Sequence, residues 1–318
     1  MAPAEVSDCS PEAFSAGSTD AGAYVARTRA GEVVLKPKLS AEFTGDDLPE
    51  GWSVTPWQEG GRATMGGGML ALDGARAGCD QLLLSPRSLE ISAAFAARPD
   101  QHAGFGTDFV DVPWVMFSTK WGRRLYGRTH LLNIEDKRLP GHWFDGFHRF
   151  RIDWNVLDIV FSIDGERLAQ ILVPVPGYMR ALAGNKRLGD EPLRVEWMRL
   201  SPYAPEGTFT SRALDAGAVA DWHELRWEAE VPPGTRMELH VRTGDVEEPG
   251  TNWSPWTPVP QSGQVAATAR YLQYRADLAT SDPAWTPVLR RVSACYSLAA
   301  EPGGSSRSSG SGSVLGCQ

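Results

Sequence analysis

An all-β chain, folded as two tandem antiparallel β-sandwiches, is what the sequence predicts, and three observations carry that expectation. Strand-favouring runs bounded by Gly, Pro, Asp and Ser recur along most of the chain. The stretch Phe147 to Val173 alternates apolar and polar residues with a period of two, which puts Phe150, Ile152 and Trp154 on one face and Arg149, Arg151 and Asp153 on the other. No long stretch keeps helical apolar spacing between caps; one short helical turn is expected around Tyr178 to Ala183, after a Pro-Val-Pro-Gly break.

At 318 residues the chain is longer than a comfortable single sandwich, and 42% hydrophobic content is enough for two cores. Residues 1–35, rich in Ala, Gly, Ser and Asp, are expected to be a lead-in segment that packs partly on the first domain, anchored by Val33, Val34 and Leu35. In 36–205, strands are expected at Trp52–Trp57, Met69–Asp73, Leu89–Ala97, His102–Phe109, Val112–Thr119 and Leu125–Leu131. The series continues at His148–Trp154, Ile159–Asp164, Leu168–Val173 and Leu193–Leu200, enough for a two-sheet jelly roll. The pattern breaks near Ser201 to Pro205, and 206–298 has the size of an immunoglobulin-like or fibronectin-like sandwich. Residues 299–318 read as a flexible Gly/Ser tail that cannot bury enough surface to offset its ordering entropy.

No apolar run approaches the 18 or so residues of a membrane span. A net charge of −8 repels polyanions and argues against nucleic acid as a partner. The four cysteines, Cys9, Cys79, Cys295 and Cys317, show no metal-ligand spacing, which argues against zinc and leaves room for one or two disulfides. Met1 to Ala30 lacks the charged start, apolar core and cleavage site of a signal peptide.

The words R-I-D-W at 151–154 and I-V-F-S-I-D-G-E at 159–166 resemble the strand pair of the concanavalin A-like lectin/glucanase superfamily. That resemblance implies a jelly roll whose concave sheet binds the ligand. In the second domain, SRALDAG, RMELHVRTGD, TNWSPWTPV, ARYLQYRADLATSD and TPVLRRVSACY resemble an accessory β-sandwich module of secreted bacterial proteins, which implies an extracellular or cell-surface setting.

With Phe95, Phe105, Phe109 and Ile152 taken as inward, alternation sends His102, Asp108, Tyr126, Arg128, His130, Arg149 and Arg151 to the opposite face, with Trp114, Trp121 and Trp143 beside them. The expected ligand-binding set is His102, Asp108, Trp114, Tyr126, Arg128, His130, Arg149 and Arg151, where aromatic rings meet the C–H face of a sugar and the polar groups meet its hydroxyls. The plainer alternative is that Arg149, Arg151 and Asp153 form a solvated cross-strand ion-pair ladder worth ~0–1 kcal/mol.

The resemblance also raises enzymes. Laminarinase-like members carry Glu-x-Asp-x-Glu, and no such triplet occurs; Glu135 and Asp136 fall where a loop before Pro140 is expected. A polysaccharide lyase would use His130 and Tyr126 for proton transfer and Arg128, Arg149 and Arg151 to clamp a carboxylate, yet the lyase signatures Arg-x-Glu-x-Arg, Gln-x-His and Tyr-x-Lys are missing. The function that fits best is non-catalytic binding of a polysaccharide or cell-wall glycan. A lyase or divergent hydrolase, and an adhesion, scaffold or small-molecule role for the same cleft, stand as alternatives. No cofactor is required; the one ion considered is a structural calcium near Asp46, Asp47, Asp108 and Asp111. Trp253-Ser254-Pro255-Trp256 is expected to stack on Arg242, Arg270 or Arg275 as a structural cation–π ladder.

Overall fold

The computed structural model describes residues 4–27, 31–120, 123–189 and 191–298. Trp121, Cys317 and the Gly/Ser tail lie outside the described residues. The protein is all-β: among the described residues, apart from one short helix, Pro11–Ser15, regular structure is strand, and the strands pair antiparallel. No helix among the described residues is long and apolar enough to cross a membrane. The chain divides into two compact units, one drawn from Met1–Lys36 and Tyr203–Gln318 and the other Pro37–Pro202.

The 37–202 unit is a two-sheet sandwich. Its eight-stranded sheet runs Glu166–Ile171, Ile159–Ile163, His148–Trp154, Arg87–Ala94, Leu193–Tyr203, Met69–Asp73 and Arg62–Gly66, with Pro37–Glu42 added beside Leu193–Tyr203. The seven-stranded sheet runs Ile134–Leu139, Leu125–His130, Trp114–Ser118, Gln101–Gly106, Arg180–Asn185, Ala75–Cys79 and Trp52–Pro56. Between them lies one apolar core to which both sheets contribute alternate residues: Phe150, Ile152, Trp154 and Phe161 from the first, and Ala103, Phe105, Val115 and Phe117 from the second. Edge-to-face rings bridge the sheets, Phe117 to Phe150 at 5.0 Å and Phe117 to Phe161 at 5.2 Å between centroids.

Two expectations fail here for physical reasons. Tyr178 to Ala183 is not helical: Arg180–Asn185 is a strand whose Ala181 and Ala183 enter the core while Leu182 turns to the other face, a period of two. Ile134–Leu139 is a strand rather than a loop, so Glu135 and Asp136 alternate across it, with Asp136 opposite Arg128.

The other unit corrects the reading of the N-terminus. Ala4–Asp8 pairs with Val288–Leu298, and Ala23–Ala26 and Glu32–Leu35 extend the same ten-stranded sheet, so residues 4–36 belong to the unit formed by 203–298 and not to the first sandwich. Its core holds Phe14, Val33, Leu35, Phe209, Trp222, Tyr274 and Val292. Cys79 and Cys295 are free thiols, while Cys9 is disulfide-bonded. The Trp-x-x-Trp segment builds its ladder with two of the three expected arginines: Arg242 lies over Trp253 at 5.5 Å and Trp256 at 4.5 Å, and Arg275 over Trp256 at 5.1 Å. Arg270 instead makes a two-pronged pair with Asp215.

Gly127 faces the core, where a Cβ would sit 2.6 Å from the Phe161 ring. Gly127→Ala should therefore cost ~1–3 kcal/mol by overpacking, read as a lowered midpoint in urea unfolding. Gly146→Ala, with open space around its Cβ, is the control and should leave the midpoint unchanged.

His148 donates from both ring nitrogens, Nδ1 to Asp164 at 2.7 Å and Nε2 to Asp145 at 2.8 Å, an arrangement that requires the imidazolium. Burial works to lower its pKa, but the two carboxylates outweigh burial and the net shift is upward. The stability this adds is fully present below the unfolded value near 6.5 and is lost as pH rises through the elevated folded value. The melting-temperature gap between the wild type and His148→Gln should accordingly shrink from pH 6 to pH 9; a constant gap would rule this out.

Candidate functional site

The candidate site is the outer face of the seven-stranded sheet, and it is built by what the core takes away. On Trp114–Ser118, Val115 and Phe117 point inward, leaving Trp114, Met116 and Ser118 outward. Leu125–His130 likewise sends Tyr126, Arg128 and His130 outward, in register with Ser118, Met116 and Trp114. His102 pairs with Ser118 across the next strand boundary, and Asp136 pairs with Arg128 across the other.

A chain of polar contacts crosses these four strands. The His102 Nδ1 and Ser118 Oγ are 3.0 Å apart, and Arg128 Nη1 donates to the same hydroxyl at 3.5 Å. Arg128 Nε donates to Asp136 Oδ1 at 2.6 Å, and Lys120 Nζ donates to Asp136 Oδ2 at 2.5 Å. His102, Ser118 and Arg128 are buried, while Asp136 and Lys120 are half-buried. Around this chain sits a small apolar cluster of Phe109, Trp114, Met116, Leu182 and Trp57. The Arg128 guanidinium lies 5.3 Å from the Trp114 ring and that of Arg76 lies 5.6 Å from Trp57, while His130 stands edge-on to Trp114 at 5.1 Å.

The electrostatics are fixed rather than mobile. Burial pushes His102 down to about 3, reinforced by the positive charges of Arg128 and Lys186, so its ring is neutral at physiological pH. Burial works to raise Asp136, but hydrogen bonds from Arg128 and Lys120 outweigh it and hold the carboxylate ionised, below its ordinary range. Asp108 is held low in the same way: burial opposes, while backbone N–H donors and Arg76 prevail.

Of the residues expected at the site, this face brings together His102, Trp114, Tyr126, Arg128 and His130. Asp108 is not on a strand but in the loop before Trp114, its Oδ1 accepting from Val110 and Asp111 N–H at 2.8 Å and its Oδ2 3.8 Å from Arg76. Among the described residues no three His, Cys, Asp or Glu side chains converge. Phe109, expected in the core, has φ of 65° and turns its ring to the outer face beside His102.

Arg149 and Arg151 are elsewhere. His148–Trp154 lies in the eight-stranded sheet between Arg87–Ala94 and Ile159–Ile163, so these side chains point away from the core on the opposite side of the sandwich. Arg151 there pairs with Asp153 at 2.7 Å and faces Glu90 at 3.6 Å. Apart from Phe109, alternation separated inward from outward residues; it carries no information about which sheet a strand joins.

Sequence reasoning missed Trp57, Arg76, Met116, Ser118, Lys120, Asp136 and Leu182. The period-two run Ile134, Asp136, Arg138 would have flagged Asp136, but Arg76 sits in a short Ala/Gly-rich strand with little pattern to read.

No family model matches the sequence. Gram-negative bacteria-binding protein 1 of Drosophila melanogaster is 27% identical over 144 residues, which is 42% of this chain and 24% of that protein, so the match spans about a quarter of the relative. Among solved structures, a prokaryotic β-1,3-1,4-glucanase (lichenase) from a mouse hindgut metagenome aligns over 51% of this chain and 97% of its own, with a TM-score of 0.39 and 15% identity. The β-glucanase of Bacillus licheniformis covers 51% and 96% (TM-score 0.38, 14% identity), and the endo-β-1,3-glucanase of Pyrococcus furiosus covers 53% and 94% (0.41, 14%).

The buried His102 ring gives a direct check. Followed by imidazole NMR shifts, it should stay neutral from pH 8 down to about 4 and protonate only near 3, while free histidine titrates near 6.5. A midpoint above 5 would show that the ring is solvated and the polar chain is not closed.

Proposed function

We propose that the 37–202 unit binds carbohydrate, a polysaccharide or cell-wall glycan, through the outer face of its seven-stranded sheet and without catalysing a reaction on it. The observation that carries this reading is the saturation of Asp136: both oxygens are taken by Arg128 and Lys120, and the group is held ionised. Glycoside hydrolysis needs two carboxyls, one of them kept protonated as the acid. Neither an ionised, doubly bonded Asp136 nor a neutral His102 with a pKa near 3 suits proton transfer at neutral pH. Both suit binding, because they hold Arg128, Ser118 and the His102 ring in one geometry beside aromatic rings.

A lyase reading keeps Arg128 but loses two of its three clamping arginines, since Arg149 and Arg151 lie on the other sheet. The ligand set for the proposal is therefore Trp57, Arg76, His102, Tyr126, Arg128 and His130, with Trp114 and Met116 as the buried floor. The relative that matches 144 residues is by its name a binder of Gram-negative bacteria, which is consistent with a cell-surface glycan as ligand and an extracellular setting.

A panel of neutral and acidic polysaccharides, followed by tryptophan fluorescence, tests the reading. Binding should weaken at least tenfold in Tyr126→Ala and in Trp57→Ala, whose folding is checked by melting temperature. Release of reducing ends, or growth of unsaturated-uronate absorbance, would overturn the non-catalytic assignment, and silence across the whole panel would overturn carbohydrate itself.

A further inference from the structure

The strand registers gather five loops at one end of the 37–202 sandwich: 80–86, 107–113, 131–133, 155–158 and 172–179. The pairings Gly106↔Trp114, His130↔Ile134, Gly106↔Arg180 and Trp154↔Ile159 fix four of them there. The bridge Leu83↔Met179 ties in the fifth, and Trp154 Nε1 donates to the Val175 carbonyl at 2.8 Å.

This end is chemically unlike the rest of the surface. Among the described residues, the large hydrophobic side chains that are 60% or more exposed are Val110, Leu132, Val156, Leu157, Leu172 and Tyr178, and every one of them stands on these loops. Leu132 and Leu172 are exposed by 87% and 80%. Single exposed aliphatics are ordinary on a protein surface, but a set concentrated on one end marks a contact surface.

The charge on these loops has one sign. They contain Asp80, Asp108, Asp111 and Asp158 and no lysine or arginine. Asp108 and Asp158 are folded back, the first onto loop N–H groups and Arg76, the second onto Asn155 and Gln170. Asp80, which accepts from Ser53 Oγ at 2.8 Å and lies 4.0 Å from Arg180, and Asp111 remain exposed among the apolar tips. An apolar centre with a polar rim of one sign is the anatomy of a protein interface, and the rim selects its partner by charge. Arg87 and Arg180 flank these loops, but each is turned back onto a backbone carbonyl, Pro86 at 2.7 Å and Thr107 at 2.9 Å, so the tips themselves carry no cation to attract an anionic bilayer.

We propose that this loop end docks a partner protein that presents a basic amphipathic segment, whose aliphatic side chains meet the tips and whose lysines or arginines meet Asp80 and Asp111. The surface adjoins the glycan-binding face through Phe109 and Asp108 of loop 107–113, but its exposed tips are none of the residues assigned to the glycan, so the two assignments can be tested apart.

The experiment uses the full chain and a synthetic Lys/Leu amphipathic peptide as probe, with a Glu/Leu peptide of the same pattern, zwitterionic vesicles and the protein itself as competing occupants. The triple variant Leu132→Ser/Leu157→Ser/Leu172→Ser alters exposed positions only and leaves the charge unchanged; an unchanged melting temperature confirms its fold. Dissociation constants should rise at least tenfold in the triple variant, and Asp111→Asn should reduce the salt dependence of binding. Equal binding of the Lys/Leu peptide to the wild type and the triple variant would mean general attraction to an acidic protein, and would overturn the proposal. Preference for vesicles, for the Glu/Leu peptide or for self-association lost in the triple variant would overturn it in favour of that occupant.

Discussion

The aromatic stack between the two sheets of the 37–202 unit is the constraint on which the rest of that unit depends. Phe117 of one sheet packs edge-on against Phe150 and Phe161 of the other, and Phe150 continues the stack to Phe95 at 4.9 Å. The rings leave no room for a side chain at residue 127, which is glycine. Once Phe117 and Gly127 are committed inward, Met116, Ser118, Tyr126 and Arg128 must face outward, because a strand alternates. The polar chain from His102 to Lys120 is thus a consequence of core packing, and a slip of one residue would drive Arg128 into the apolar interior and undo both.

The same constraint explains why the outer face tolerates buried charge. A guanidinium as enclosed as that of Arg128 needs a partner with good geometry, since removing one member of such a pair leaves the other uncompensated. Asp136 supplies it at 2.6 Å from the adjacent strand, and the Trp114 ring covers the guanidinium face. On the other sheet Arg151 finds the same kind of solution with Asp153 and Glu90. The two faces carry similar residue types, stacked rings included, since Arg199 lies over Trp197 at 4.2 Å on the eight-stranded sheet; they differ in that a carboxylate-rich ladder accompanies the charges there.

This difference marks what was legible in the sequence. The strand class, the in-and-out pattern of Phe147 to Val173, and the shared face of Tyr126, Arg128 and His130 could be read from period-two spacing, because burial of one face writes that period directly. The sheet to which Arg149 and Arg151 belong could not, since antiparallel partners are chosen by long-range packing that leaves no local trace. Phe109 was misplaced for a different reason: its backbone adopts a left-handed turn, unusual for an aromatic residue, which flips a ring that strand geometry would have sent inward. The N-terminal segment was misread because Ala4–Asp8 and Glu32–Leu35 are too short to show a period, and their pairing partners lie more than 250 residues away in sequence.

A face whose charges are already satisfied would recognise the proposed ligand in a particular way. Arg128, Lys120 and Asp136 neutralise one another in large part, as do Arg76 and Asp108, so little free charge remains to attract an ion from solution. What remains is direction: guanidinium N–H groups left over from the Asp136 bond, the Tyr126 hydroxyl, and rings whose flat faces border them. Such groups discriminate by the positions of hydroxyls and the shape of an apolar surface, which is the information a neutral sugar carries. An anionic ligand would have to compete with Asp136 for Arg128 and break a charge-assisted bond to enter. The loop end of the same sandwich follows the opposite logic, with unsatisfied apolar surface and unpaired acidic charge at Asp111. The two proposed surfaces would thereby differ in selectivity, because hydrogen bonding is closed internally on one and left open on the other.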